Sequence, residues 1–111
     1  MAFLGIDAGA SATKWAVLDG ETVVASGRQP AMDAHLYREE SVSRLREVIK
    51  EISDATAKYS IEGILMGITG FSPETDFQSY FSDEFTAPVT VISDIELAYR
   101  ANFREREGVL I

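Results

Sequence analysis

The chain has 111 residues, of which 46% are hydrophobic and 25% charged, as in a single globular domain and not in a disordered or collagen-like chain. It has no cysteine, which excludes a disulfide framework, an iron–sulfur cluster and a thiolate zinc site built from this chain. Its net charge of −8 disfavours nucleic-acid partners. No apolar run approaches the ~20 residues of a membrane span, and the N-terminus lacks the basic region of a signal peptide. We therefore predict a cytoplasmic protein without a membrane partner.

The first quarter of the chain predicts three antiparallel strands. Residues 3–6 form a short apolar run, residues 13–18 alternate between two faces, and residues 22–25 are again strand-like. Asp19-Gly20 separates the second and third runs, which is a strong hairpin signal. We expect a type I′ turn there, with positive φ at both residues.

Helical and strand patterns alternate in the rest of the chain. Apolar residues from position 41 to 59 recur at helical spacing. Residues 63–69 and 88–92 are apolar, and the almost uninterrupted first run indicates a buried parallel strand. Ser72-Pro73-Glu74 predicts a helix start, followed by an aromatic stripe that we assign to the core. Ser93-x-x-Glu96 forms a capping box for a last helix.

This order predicts an α/β fold on a mixed sheet, with an antiparallel β-meander followed by right-handed parallel β-α crossovers. We treat residues 1–111 as one domain. The chain ends on Gly108-Val109-Leu110-Ile111, which reads as the beginning of another strand. We therefore expect a longer protein to continue from this point.

The turn after the first strand has the pattern Asp7-x-Gly9-x-Ser11-x-Thr13-Lys14. Small residues let backbone N–H groups approach a polyphosphate, to which a hydroxyl or a lysine adds hydrogen bonds. An aspartate at the strand end can hold Mg²⁺ through its waters. A plain β-turn in which Asp7 bonds its own backbone has the same pattern. The turn matches neither the P-loop nor the Rossmann motif.

Three further positions are candidates for substrate chemistry. Gly70 follows the first parallel strand, at the edge where open α/β sheets bind ligands, although a glycine turn before a helix explains it equally. Asp94 follows the second parallel strand and can act as a general base or simply as a helix-start acid. Asp33 and His35 lie in a connection that can reach over the sheet edge, where a packing or surface histidine is the alternative.

Three segments in register, FLGIDAGASATKWAVLDGE, GITGF and VISDIELAYRANFREREGVLI, resemble the N-terminal part of the BadF/BadG/BcrA/BcrD-type ATPases, which include N-acetylglucosamine and glucosamine kinases. The resemblance implies a ribonuclease H-like (actin-like ATPase) domain, truncated before the second phosphate motif. It implies ATP and Mg²⁺ as cofactors and an amino sugar as phosphoryl acceptor. In that resemblance the site residues are the Mg²⁺-associated Asp7, the phosphate-turn positions Gly9, Ser11, Thr13 and Lys14, the catalytic base Asp94, and the substrate-side residues Gly70, Asp33 and His35.

The sequence departs from the family where Ala8 and Ala10 replace glycines, which stiffens the phosphate turn. Two alternatives stay open. The first alternative is an activator ATPase of an acyl-CoA dehydratase or reductase, because the segment GIDAGASATK is also similar to that group. The second is a stand-alone binding domain of the same fold, which would have the same sequence pattern. The acceptor sugar is not identified. The oligomeric state is open, and a homodimer of the full-length protein is one option.

Overall fold

The computed structural model describes residues 2–72 and 75–93. Five strands and two helices lie in these ranges, in the order β-β-β-α-β-α-β. Their bounds are β1 Ala2–Ala8, β2 Thr13–Asp19, β3 Thr22–Gln29, α1 Glu39–Ala55, β4 Ile61–Ile68, α2 Phe77–Phe81 and β5 Val89–Ser93.

The five strands form one mixed sheet in the order β3-β2-β1-β4-β5. The β1–β2 and β2–β3 pairs are antiparallel, whereas β1–β4 and β4–β5 are parallel. The predicted meander and the predicted parallel strands are therefore both confirmed. The first strand lies in the centre of the sheet, with the meander on one side and the crossover strands on the other.

One face of the sheet carries the hydrophobic core. Alternate residues of β1, including Leu4 and Ile6, are almost fully buried there, as period-two strands require. The helix α1 contributes one apolar stripe at i, i+3 and i+4 spacing, as the sequence predicted. Phe77 and Phe81 of α2 are also buried in this cluster, which confirms that the aromatic stripe belongs to the core.

The second helix begins later than the sequence predicted. Asp76 is its N-cap, and the Asp76 carboxylate accepts a hydrogen bond of 3.3 Å from the Ser79 N–H. The predicted start at Ser72 was wrong, because the helical backbone begins at Phe77. Aspartate is as good a cap as serine, so local preference did not distinguish the two positions. The predicted helix after Ser93 lies outside the described residues.

The hairpin between β2 and β3 differs from the predicted turn. Asp19 pairs with Thr22, so the loop consists of Gly20 and Glu21. Gly20 has φ +64°, and no described non-glycine residue has positive φ. This is the pattern of a type II′ turn, with glycine at the first central position. The predicted type I′ turn was wrong because Asp19 remains in the strand ladder.

The edge strand β3 is covered by an aromatic side chain. The Trp15 indole lies against Gly27, where an added Cβ would stand 2.6 Å from Trp15 Cε2. Glycine at position 27 therefore makes room for the buried indole.

Among the described residues, no helix is long and apolar enough to cross a membrane.

Candidate active site at the carboxyl edge of the sheet

The parallel strands β1 and β4 end side by side, with Ala8 in register with Ile68. Directly after β4, the Thr69 N–H donates to the Ala8 carbonyl at 3.2 Å, and the Thr69 hydroxyl donates to the same oxygen at 3.3 Å. These bonds tie the glycine turn after β4 to the end of β1. The two candidate segments thus meet at the sheet edge where ligands bind in open α/β folds.

The turn between β1 and β2 is closed by one backbone hydrogen bond, from the Gly9 N–H to the Ala12 carbonyl at 3.1 Å. Ala10 and Ser11 are exposed, and their N–H groups have no hydrogen-bond partner among the described residues. Gly9 has no positive φ, and an added Cβ would meet Ala12 at an ordinary 3.5 Å. Neither the conformation nor the packing of the turn demands glycine at position 9. A close approach by a ligand would explain it.

The two polar positions that flank this turn lie on the side of the sheet away from the core. Asp7 pairs with Lys14 across β1 and β2, and both side chains are exposed. Thr13 points to the core face instead. It is fully buried, and its hydroxyl has no hydrogen-bond partner. Asp7 and Lys14 are therefore accessible to a ligand in this structure, whereas the Thr13 hydroxyl is not.

The connection that contains Asp33 and His35 crosses the sheet edge. It is attached there by the Ala34 N–H, which donates to the Thr69 carbonyl at 3.1 Å. Asp33 organises the connection internally, because its Oδ1 accepts the His35 N–H at 2.8 Å and lies 3.7 Å from His35 Nδ1. The structure therefore places Asp33 and His35 at the same edge as the turns after β1 and β4.

Gly70 and His35 are in direct contact. Gly70 has φ +76°, a conformation that glycine adopts without strain. A Cβ at this position would lie 3.0 Å from His35 Nε2. The backbone conformation therefore favours glycine at position 70, and a Cβ there would also push the imidazole away by a few tenths of an ångström. Two residues singled out separately in the sequence are thus neighbours at the sheet edge.

These segments surround a cavity of about 510 Å³. It is bordered by the first turn, the connection, the end of β4 and the beginning of α1, through Ala10, Asp33, His35, Thr69, Arg38, Ser41 and Arg44. The sequence analysis did not single out the last three of these residues, which belong to the beginning of α1. The one available signal was that α1 begins only four residues after His35, which places its N-terminus at the same edge.

The described residues contain no group of three or more His, Asp or Glu side chains that could hold a metal ion. Asp7 presents a single exposed carboxylate at the strand end. That arrangement fits Mg²⁺, which keeps several waters and is held by one or two carboxylates together with substrate phosphates. Asp94, the predicted catalytic base, lies outside the described residues.

Solved structures similar to this one include a hexokinase and RuvC. A ROK hexokinase from Thermus thermophilus matches 94% of the chain with a TM-score of 0.64 and 21% identity. T. thermophilus RuvC in complex with a Holliday junction substrate matches 99% with a TM-score of 0.57 and 16% identity. The chain shares their fold. The likeness is consistent with the expected ribonuclease H-like fold and does not show the BadF/BadG family.

The chain spans 37% of the hexokinase chain and 78% of the RuvC chain. No protein-family model matches it, and no curated protein matches it significantly by sequence. At these identities the two structures establish the architecture alone. The function rests on the residues of the site.

Proposed function

We propose that the chain is the N-terminal part of an ATP-dependent amino-sugar kinase of the BadF/BadG/BcrA/BcrD type, with an acceptor of the N-acetylglucosamine or glucosamine class. The observation that carries the proposal is the cavity in which the first turn, through Ala10, meets Asp33 and His35. A kinase needs a phosphate-binding turn and an acceptor site within reach of each other. The fold shared with a sugar kinase supports the same assignment.

In this proposal the turn after β1 binds the ATP phosphates. The free N–H groups of Ala10 and Ser11 donate to phosphate oxygens, and the absence of a side chain at Gly9 lets them approach. Lys14 adds a positive charge beside the turn. Asp7 would hold Mg²⁺ through its waters, and the ion would supply charge neutralisation on the phosphates. Thr13, with its buried side chain, would act through its backbone.

The acceptor sugar would lie against the connection and the Gly70 turn. Asp33 keeps a second carboxylate oxygen for sugar hydroxyls, and His35 presents an imidazole that is 44% exposed. Transfer forms a bond between an acceptor hydroxyl oxygen and the γ-phosphorus and breaks the bond to the bridging oxygen, so that ADP leaves. The hydroxyl proton passes to Asp94 in the proposed role of general base.

A nucleic-acid-binding function like that of RuvC is not favoured for this chain. Binding to a phosphate backbone is driven largely by lysine and arginine contacts that release counterions. This chain has ten such residues against 18 acids. The same charge balance is compatible with a small substrate, which needs only local complementarity at its site. A cytoplasmic location and the option of a homodimer stay predictions.

The proposal is tested in the protein that continues this chain, by kinetics of ATP-dependent sugar phosphorylation. Asp33→Asn should raise the KM for the sugar about tenfold or more. The substitution removes a charged hydrogen-bond acceptor for sugar hydroxyls and weakens the hydrogen bond that the His35 N–H donates to the Asp33 side chain. Asp54→Asn is the matched control, since Asp54 is an exposed carboxylate on α1 that pairs with Lys50. Equal KM values for the two variants, or no phosphorylation of any amino sugar by the wild type, would contradict the proposal.

A further inference from the structure

The side of the cavity formed by α1 carries two arginines against one acid, Glu40. Arg38 and Arg44 both line it, in a chain with a net charge of −8. Within the described residues, Arg46 forms an ion pair with Asp83, whereas Arg38 and Arg44 form no ion pair. Both guanidinium groups are exposed and can donate to a ligand in the cavity.

The N-terminus of α1 adds to this positive side. The helix has 17 residues, and its N-cap, Arg38, provides no side-chain hydrogen bond to the first turn. The first N–H groups of a helix lack partners within the helix, and the helix dipole places partial positive charge there. Because Glu39 and Glu40 in the first turn already complement part of this charge, the helix end adds only modestly to the attraction that Arg38 and Arg44 exert on an anionic group.

Ser41 adds a hydroxyl to the same side of the cavity. It is only 7% exposed, lies in the first turn of α1 and lines the cavity. Its hydroxyl forms no hydrogen bond within the described residues and is not one of their fully buried unpaired polar atoms, so it is accessible from the cavity. A group bound in the cavity can therefore pair with it.

The acids of the cavity limit where an anion can lie. Asp33 is on the side of the connection, where its Oδ1 is already occupied by the His35 N–H. Glu40 lies on α1, one turn before Arg44, and is exposed. The cavity is therefore polarised, with hydroxyl-binding groups at Asp33 and His35 and an anion-binding side at Arg38, Ser41 and Arg44.

We propose that this cavity binds an acidic sugar, with its carboxylate or phosphate group between Arg38, Ser41 and Arg44 and its hydroxyls toward Asp33. The inference rests on the proposed function and narrows its substrate class. The acceptor is an amino sugar that already carries an acidic substituent, bound in preference to its neutral parent. Carboxylate and phosphate offer the same charge-assisted chemistry to a guanidinium, so the experiment includes both.

The test is isothermal titration of the chain with four probes: N-acetylglucosamine, N-acetylglucosamine 6-phosphate, glucuronate and inorganic phosphate. At least one acidic sugar should bind about tenfold or more tightly than N-acetylglucosamine, and the difference should shrink with added salt. Arg44→Gln and Ser41→Ala should each reduce that preference about threefold or more. Arg46→Gln is the matched control, because Arg46 lies on the same helix, outside the cavity, and pairs with Asp83.

The outcomes separate the inference from the proposed function. If Arg44→Gln weakens binding no more than Arg46→Gln, or if N-acetylglucosamine binds as tightly as both acidic sugars, the anion-binding side is refuted. If inorganic phosphate binds as tightly as the acidic sugars and loses affinity in Arg44→Gln, the cavity binds an anion without recognising a sugar, and the acidic-sugar inference is refuted. The proposed function is tested separately by the phosphorylation kinetics of Asp33→Asn. Melting curves of each variant show whether a loss of binding reflects loss of the fold.

Discussion

Replacing Gly70 by alanine should disturb the site more than any other glycine substitution in the two turns at the sheet edge. At φ +76° an alanine is in the left-handed region, which costs about 1–2 kcal/mol for a residue with a Cβ. The new Cβ would also lie 3.0 Å from His35 Nε2, so the imidazole must move by a few tenths of an ångström. Because the His35 side chain is 44% exposed, it can move toward solvent. The conformational cost therefore dominates.

Two other glycines provide matched controls. Gly20 has φ +64° with no atom within 4 Å of an added Cβ, so Gly20→Ala has the conformational cost without the contact. Gly9 has neither a positive φ nor a close neighbour for an added Cβ. Gly9→Ala should therefore leave the free energy of unfolding unchanged or raise it by about 0.4–1 kcal/mol, because alanine makes the unfolded chain less flexible. For a domain near this size, 1 kcal/mol corresponds to about 4–8 °C in Tm.

The assay combines thermal unfolding with NMR of the imidazole. The chain has one histidine, so the His35 ring signals are unambiguous. Gly70→Ala and Gly20→Ala should both lower the Tm by about 4 °C or more, and Gly70→Ala alone should shift the His35 signals. If Gly70→Ala melts like Gly9→Ala, the left-handed conformation of Gly70 is refuted. If the His35 signals do not move, the contact between His35 and the Gly70 turn is refuted.

Three further substitutions test the core, the edge strand and the chemistry. Gly27→Ala should destabilise the fold by about 1–3 kcal/mol, because the Trp15 indole must be displaced, and a denaturant titration with an unchanged midpoint would contradict this. Phe81→Ala removes a fully buried ring and should cost about 3–5 kcal/mol in the same titration. In the longer protein, Asp94→Asn should lower kcat by about 10²–10⁴ with little change in Tm, and a near wild-type rate would show that Asp94 is not the base.

Much of the fold was predictable because its signals are local. The alternation in β2, the apolar run of β4 and the helical stripe of α1 each identify an element without reference to the others. The antiparallel meander and the parallel crossovers followed from the order of these elements along the chain. The order of the strands within the sheet was not predicted. The errors came from positions where the local sequence does not distinguish two nearby alternatives. Ser72 and Asp76 are equally good N-caps for α2, and the Asp19-Gly20 pair does not show by itself which two residues form the hairpin loop.

The site was only partly predictable. The turn at Gly9 and the glycine at position 70 were visible because each follows a predicted strand, at the edge where open α/β sheets bind ligands. Arg38, Ser41 and Arg44 were not singled out, because on a helix they resemble ordinary surface residues. Only the tertiary structure, with Ala34 bonded to Thr69, shows that the beginning of α1 lies at the sheet edge.

The most direct test of the sugar kinase proposal is ³¹P NMR of the continuing protein incubated with ATP, Mg²⁺ and one amino sugar at a time, in neutral and acidic forms. The account predicts that a sugar phosphate signal and ADP appear together in equal amounts, and that the 111-residue chain alone produces neither, because it spans 37% of the similar hexokinase. Hydrolysis of ATP to inorganic phosphate with no sugar phosphate, for every sugar tested, would contradict the assignment of the cavity as a phosphoryl-acceptor site.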